Sequence, residues 1–206
     1  MLRIALFDYG AGNLYSLKAA LERNTGVQTS IISKLKNIRD YDGLILPGVG
    51  NFDPAIISIG EDKELFTKAV KDKIPILGIC LGMEMLFNGS EEGKLDGLAI
   101  LDGQVIMLNK KLTKIPHIGW NTLKIERNGG KLLDGIPDGS WVYFVHSYRI
   151  SPNDKGMVTA NSEYGITIPA AIEIENLYGT QFHPEKSGQT GVIIIKNFLN
   201  ICREKQ

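Results

Sequence analysis

The 206-residue sequence is poor in cysteine, histidine and tryptophan, and it carries no excess charge of either sign. Its 23 basic residues are matched by 23 acidic ones, so it offers no electrostatic footprint for a phosphate backbone or an anionic lipid surface. Nucleic-acid and membrane partners are therefore not expected. No run of about 18 apolar residues occurs, which removes a spanning helix from consideration. The opening segment MLRIALFDYG meets Asp8 after a short apolar run and has no small-residue cleavage site, so a cytoplasmic protein is expected. Only two cysteines are present, Cys80 and Cys202, far apart and without an export signal. A structural disulfide is not expected between them, and both thiols should be reduced. The length suits a single domain over residues 1–206.

What is present is an alternation of strand-like and helix-like stretches. Leu2 to Phe7, Val27 to Ile32, Gly43 to Leu46 and Ile76 to Ile79 read as strands, while Leu14 to Arg23 and Glu61 to Lys71 have helical apolar spacing. Strands apolar on both faces and separated by helices imply an α/β fold with a doubly wound, mostly parallel sheet. From about Gly97 to Phe182 short β-rich runs take over, at Val105 to Leu108, Thr122 to Ile125, Trp141 to Val145, Ala171 to Ile174 and Leu177 to Phe182. They are expected to add antiparallel strands to the same body. Val192 to Leu199 reads as a closing helix, with Cys202 as a small packing residue on its buried face.

The sharpest local signal is Gly78-Ile79-Cys80-Leu81-Gly82, placed after an apolar strand and before the helix-compatible run Met83 to Phe87. Glycines two before and two after a nucleophile permit the sharp strand-to-helix turn that lifts its side chain clear of the sheet and brings backbone N–H groups beside it. A helix N-terminus at Cys80 together with an adjacent imidazolium is expected to pull the thiol below its ordinary pKa of about 8.5. Three histidines could serve as base: His117, His146 and His183. Pro184 biases His183 toward extended backbone, and Glu185 is near enough in sequence to hold the imidazole. His117 and His146 have no such carboxylate and read as structural or supporting residues. Gly48-Val49-Gly50, following the Gly43 to Leu46 strand, forms a backbone-rich turn at the end of a strand where ligands bind in open α/β sheets. With the N–H of Leu81 it could supply donors to an oxyanion. Gly10-Ala11-Gly12 is not a dinucleotide fingerprint, because Tyr15 occupies the position of the third glycine.

Together with Phe7 to Asn13, Leu46 to Gly50, Pro116 to Asn121, Tyr143 to Tyr148 and Gln181 to Ser187, the elbow resembles the class I glutamine amidotransferases. The Gly119-Trp120-Asn121 and Phe144-Val145-His146 blocks and the lysine after Glu185 resemble the glutaminase subunits of imidazole glycerol phosphate synthase. The resemblance runs in order along nearly the whole chain. It implies hydrolysis of L-glutamine to glutamate and ammonia, with no cofactor and no metal. It also implies transfer of the ammonia to a separate (β/α)8-barrel cyclase subunit in a heterodimer. In that reading Cys80 is the nucleophile, His183 the base and Glu185 its orienting carboxylate. Gly48 to Gly50 and Leu81 resemble the oxyanion hole, and Ser147 and Tyr148 resemble backbone contacts to the substrate. Tyr143 and Lys186 resemble residues of the subunit interface or ammonia passage, and Trp120 reads either as part of the same interface or as a buried aromatic.

One position departs from the family. Glu84 stands where these proteins usually carry Gln, one helical turn beyond Cys80, on the side chain that helps hold the substrate's amino-acid head. A carboxylate there can still accept from the substrate ammonium, but should repel the substrate carboxylate and disfavour the Cys80 thiolate. A thiol hydrolase of the α/β-hydrolase type is disfavoured, because its acid should precede its histidine in the chain. A binding protein of flavodoxin-like fold would have no use for His183 and Glu185 together. A paralogous glutaminase serving another synthase is the remaining alternative.

Overall fold

The computed structural model of the chain describes residues 1–10, 14–126 and 130–204. Its first half contains β1 (Leu2–Phe7), α1 (Leu14–Glu22), β2 (Val27–Ile32), β3 (Gly43–Leu46), α2 (Phe52–Gly60), α3 (Lys63–Lys71), β4 (Ile76–Ile79) and one helical turn, α4 (Leu81–Glu84). The second half adds β5 (Gly103–Met107), β6 (His117–Thr122), β7 (Lys124–Ile125), β8 (Trp141–His146) and β9 (Tyr148–Pro152). It ends with β10 (Val158–Glu163), β11 (Thr167–Ile174), β12 (Leu177–Thr180) and the helix α5 (Gly188–Glu204).

Eight strands form one sheet in the order β2-β1-β3-β4-β12-β11-β10-β7. The first five run parallel to one another, and the remaining three are antiparallel to their neighbours. The expected α/β sheet with added antiparallel strands is thus present. Successive side chains on a strand point to opposite faces, and both faces here are covered. Ala5 and Phe7 of β1 join Leu44 and Leu46 of β3 under Phe52 and Ile59 of α2 and Phe66 of α3. Ile4 and Leu6 join Ile45 and Leu77 on the other face, under Leu14 and Leu17 of α1 and Phe198 of α5. Phe66 and Phe198 are fully buried, so truncating either to alanine should cost about 3–5 kcal/mol.

Several boundaries differ from the sequence expectation. α2 has no counterpart there, although Phe52, Ala55, Ile56 and Ile59 lie on its buried face. Pro54 near its start obscures the pattern, yet a proline in the first turn is tolerated because its missing N–H would have no helical partner. The helix expected over Met83 to Phe87 stops at Glu84. The carbonyls of Met85, Leu86 and Phe87 instead accept from the N–H groups of Leu98, Ile100, Leu101 and Ala99, so the 97–101 segment takes the place of a continuing helix. β12 pairs antiparallel with β11 on one side and parallel with β4 on the other, with Thr180 opposite Ile79, so it joins the two parts of the sheet. Thr122 to Ile125 divides between β6 and β7, and β6 pairs with β8 in a separate two-stranded ribbon, as β5 does with β9. The closing helix is present, with Ile194, Ile195, Phe198, Leu199 and Cys202 on its buried side. Ala11, Gly12 and Asn13 lie outside the described residues.

Candidate active site

The β4–α4 junction has the geometry its glycines predict. A Cβ on Gly78 would lie 2.6 Å from the backbone of Met83, and one on Gly82 would run into the carbonyl of Leu46. No other residue type fits at either place. Cys80 itself sits at φ +48° and ψ −107°, a strained conformation for a residue with a side chain. Such strain costs on the order of 1–3 kcal/mol and persists only where the surroundings enforce it. Here the enforcement includes the Cys80 N–H, which donates to the Thr180 carbonyl at 2.6 Å, and the Cys80 carbonyl, which accepts from the N–H groups of Met83 and Glu84 at 3.0 Å each.

The thiol is buried, not activated by its position. Burial pushes the Cys80 pKa well up and the Glu84 carboxylate pushes it further; hydrogen bonds from Gln181 and the Leu81 N–H oppose this, and Glu185 adds to it. The downward pull expected at a helix start is present in the Leu81 N–H but is outweighed by burial and the Glu84 carboxylate, α4 being a single turn. The Sγ lies 3.9 Å from the Val145 carbonyl and 3.7 Å from Gln181 Nε2.

His183 arrives from the neighbouring strand. Because β12 lies beside β4, the residues that follow Thr180 emerge next to the elbow. His183 Nδ1 is 2.9 Å from Glu185 Oε1, and the imidazole is 1% exposed. Its backbone is pinned on both sides: the N–H donates to the Tyr143 carbonyl at 2.9 Å, and the carbonyl accepts from Ser187 Oγ at 2.6 Å. A Cβ on Gly48 would come within 2.9 Å of His183 Cε1, so the ring edge lies against the Gly48 backbone. His183 Nε2 is buried and has no hydrogen-bond partner among the described residues. An Nδ1–H donating to the carboxylate leaves Nε2 as the nitrogen able to take up a proton.

Cys80 opens onto a cavity of about 270 Å³. Its walls include Gly48, Val49, Gly50, Leu81, Glu84, Ser147 and Tyr148, all of which the sequence nominates. Gly50 adopts φ +136°, which a side chain would disfavour. The walls also include Glu92, for which the sequence offers no site signal, and Pro116, Val145 and His146, which fall in the blocks that carry the resemblance but to which it assigns no contact with substrate. Glu92 comes from the irregular stretch after α4, and its Oε2 accepts from the Phe52 N–H at 3.3 Å. Burial raises its carboxyl above the usual range and Asp53 adds to the rise, with the Phe52 bond opposing. Glu84 is 4% exposed, and its Oε1 accepts from Gln181 Nε2 at 2.9 Å. Burial raises its pKa to about 7, the Gln181 bond working against the rise and Glu92 adding to it. Its charge is therefore partly removed at neutral pH, which softens the burden expected of a carboxylate at this position.

His146 lines this cavity, but both of its nitrogens are engaged. Nδ1 lies 2.7 Å from the Tyr148 carbonyl, and Nε2 lies 2.9 Å from His117 Nδ1. A carbonyl can only accept, so His146 carries its proton on Nδ1 and accepts from His117 at Nε2. His117 is stacked on Phe144 and Tyr164, with ring centroids 4.6 and 3.9 Å away. Trp120, Tyr143 and Lys186 come together at the edge of the β6–β8 ribbon. Trp120 is half exposed and meets the Tyr143 ring edge-on at 5.9 Å, and Lys186 Nζ lies 6.0 Å from that ring. Among the described residues there is no cluster of side chains suited to a metal, and no helix long and apolar enough to cross a membrane. Neither cysteine is in a disulfide.

Residues 5–202 match the family model described as Glutamine amidotransferase class-I. The chain is 49% identical over 199 residues to the imidazole glycerol phosphate synthase subunit HisH of Caldanaerobacter subterraneus subsp. tengcongensis, covering 95% of this chain and 96% of that one. It is 44% identical to the HisH subunit of Methanocaldococcus jannaschii, covering 96% and 99% of the two chains. Its fold resembles a putative GMP synthase subunit from Thermoplasma acidophilum, with a TM-score of 0.75 and 25% identity over 100% of this chain and 96% of that one. It resembles PurLQS from Thermotoga maritima with a TM-score of 0.75 at 22% identity, covering 97% of this chain and 98% of that one. A strained cysteine elbow, a carboxylate-held histidine beside it and this similarity over nearly the full length lead to one conclusion: the chain belongs to the class-I glutamine amidotransferases, among the HisH subunits of imidazole glycerol phosphate synthase.

Proposed function

We propose that the chain, as one amidotransferase domain over residues 1–206, hydrolyses L-glutamine to glutamate and ammonia and supplies the ammonia to a cyclase subunit that makes imidazole glycerol phosphate in histidine biosynthesis. The observation that carries this is His183, held by Glu185 at 2.9 Å with Nε2 left over, beside a cysteine elbow that opens on a cavity. His183 Nε2 takes the thiol proton as Cys80 Sγ attacks the side-chain amide carbon of glutamine. The oxyanion of the tetrahedral intermediate draws on the Leu81 N–H and the backbone of Gly48, Val49 and Gly50. Each well-placed donor contributes about 3–4 kcal/mol to such a transition state. His183 then returns the proton to the departing nitrogen, the C–N bond breaks, and ammonia leaves behind a thioester. Water, deprotonated at His183, cleaves the thioester and frees glutamate and the thiol.

In the same reading the glutamine head is held by Glu92, Glu84 and the Ser147–Tyr148 backbone. A raised thiol pKa suits this scheme, since the proton moves to His183 only as the substrate arrives. The partner is a (β/α)8-barrel cyclase in a cytoplasmic heterodimer, docked over Trp120, Tyr143 and Lys186, and no nucleic acid, membrane, metal or cofactor is required. Gly50 and its turn let the Val49 peptide rotate at low cost, so an oxyanion donor can be completed when the partner binds. The test is glutamine-dependent product formation by the two subunits together. Cys80→Ala should abolish it while added ammonium salt still supports cyclisation; glutamine-driven turnover by that variant would remove Cys80 from the mechanism.

A further inference from the structure

Gln181 is fully buried at the end of β12, two residues before His183, and no step above uses it. Its backbone N–H donates to the Ala170 carbonyl at 2.9 Å, so the position of its side chain is fixed from behind. Its Nε2 lies 2.9 Å from Glu84 Oε1 and 3.7 Å from Cys80 Sγ, whereas its Oε1 is buried with no partner among the described residues. A primary amide has two N–H donors, one for each of these acceptors. Nothing on the oxygen side fixes which way the amide faces. We propose that Gln181 is a positioning residue for Cys80: Glu84 holds the Gln181 amide with its nitrogen toward the sulfur, and that nitrogen donates to the thiolate.

This role rests on Cys80 being the nucleophile, and it follows from the alternatives open to the amide. Turned over, the amide would set its oxygen against both Glu84 Oε1 and Cys80 Sγ. An ionised Glu84 repels that oxygen. A thiolate repels it as well, but a neutral S–H could donate to it. The flipped amide therefore favours the thiol and the observed one favours the thiolate. Glu84 acts in two opposed ways: its charge resists thiolate formation, and its grip on Gln181 assists it. The other titratable groups around the pair are Tyr9 beyond β1, Glu92 after α4, His146 at the end of β8, Tyr148 at the start of β9, and His183 and Glu185 beyond β12. None of them takes a hydrogen bond from Gln181 among the described residues. The substitution that separates Glu84's two actions is clear: Glu84→Gln removes the charge and keeps an acceptor for Gln181, while Glu84→Met removes both.

The experiment is the pH dependence of Cys80 alkylation by iodoacetamide in the full-length chain, with the label located by peptide mapping so that Cys202 does not contribute. Gln181→Met should move the profile to higher pH and slow alkylation on the order of tenfold below its inflection, as loss of one charge-assisted donor implies. Glu84→Gln should move it to lower pH, and Glu84→Met should fall between Glu84→Gln and the wild type. A Gln181→Met profile that superimposes on the wild type overturns the proposal. So does coincidence of the two Glu84 variants, which decides the matter even if Gln181→Met does not fold. Glutamine turnover by Cys80→Ala, measured separately, would undo the nucleophile reading and is independent of these profiles.

Discussion

Two buried corners of this protein each hold imidazole, and they are built for opposite ends. At the end of β12, His183 has a carboxylate on Nδ1 and nothing on Nε2 among the described residues. In the β6–β8 ribbon, His146 has a carbonyl on Nδ1 and a second imidazole on Nε2. Burial alone does not separate them, since His183 is 1% and His146 5% exposed. The partners do. A carboxylate sets a full negative charge beside the imidazolium that forms when a proton is taken up, whereas a carbonyl offers only a dipole. His146 is driven down to about pKa 3, chiefly by burial, with His117 and His183 adding to the fall and the Tyr148 carbonyl only partly opposing it. Burial takes His117 down to about 4. The ribbon pair braces Ser147 and Tyr148 with both His146 nitrogens engaged, and in the proposed function the proton passes through the histidine after β12, whose Nε2 has no partner among the described residues.

The largest expected effect breaks this contrast directly. His183→Ala should lower glutamine hydrolysis roughly 10²–10⁴-fold, the usual scale of a lost general base, whereas His146→Ala should act more on the Michaelis constant for glutamine through the Tyr148 carbonyl it releases. Steady-state kinetics of the two variants decide it, and a larger loss of turnover number in His146→Ala would reverse the assignment. Next in size is the stability that His146 contributes. Its pKa is depressed in the folded chain, so the unfolded chain binds more protons as pH falls below about 6.5, and stability is lost from there down toward the folded value. Between pH 6.5 and 4 that loss is about 3 kcal/mol. Glu84, raised to about 7, acts in the opposite direction over much of the same range, because the folded chain then binds the extra proton. The quantity to measure is therefore the difference in denaturant stability between wild type and His146→Gln at each pH; a difference that stays constant would show that His146 is not held neutral.

Smaller again is Glu185→Gln. An amide oxygen can still accept from Nδ1 but cannot compensate an imidazolium, so turnover should fall on the order of tenfold to a hundredfold, less than for His183→Ala. A loss equal to that of His183→Ala would mean that the carboxylate does more than orient. The smallest effect concerns the third ionisable corner, Glu84. Glu84→Gln should lower the Michaelis constant for glutamine a few-fold above about pH 7, where the carboxylate is charged, and the two proteins should converge below it. Identical constants at pH 8 would place Glu84 outside the binding of the substrate head.

Much of this is legible in the sequence. The flanking glycines of Cys80 are steric requirements of a single turn, and the apolar runs at Leu2–Phe7, Val27–Ile32, Gly43–Leu46 and Ile76–Ile79 correspond to strands residue for residue. The contact of His183 with Glu185 joins residues two positions apart. These are short-range matters, fixed by sterics, hydrophobic period and neighbours along the chain, and a linear reading can reach them. The length of α4, the entry of Glu92 into the cavity, the pairing of His117 with His146 and the reach of Gln181 to both Cys80 and Glu84 cannot be read that way. Each joins residues from separate elements, and Gln181 stands 101 positions from Cys80. The direction of the thiol pKa belongs with them: the sequence places a cysteine at a helix start, but desolvation and the nearby carboxylates, which exist only once β8 and the residues after β12 have closed around it, raise what a helix start alone would lower.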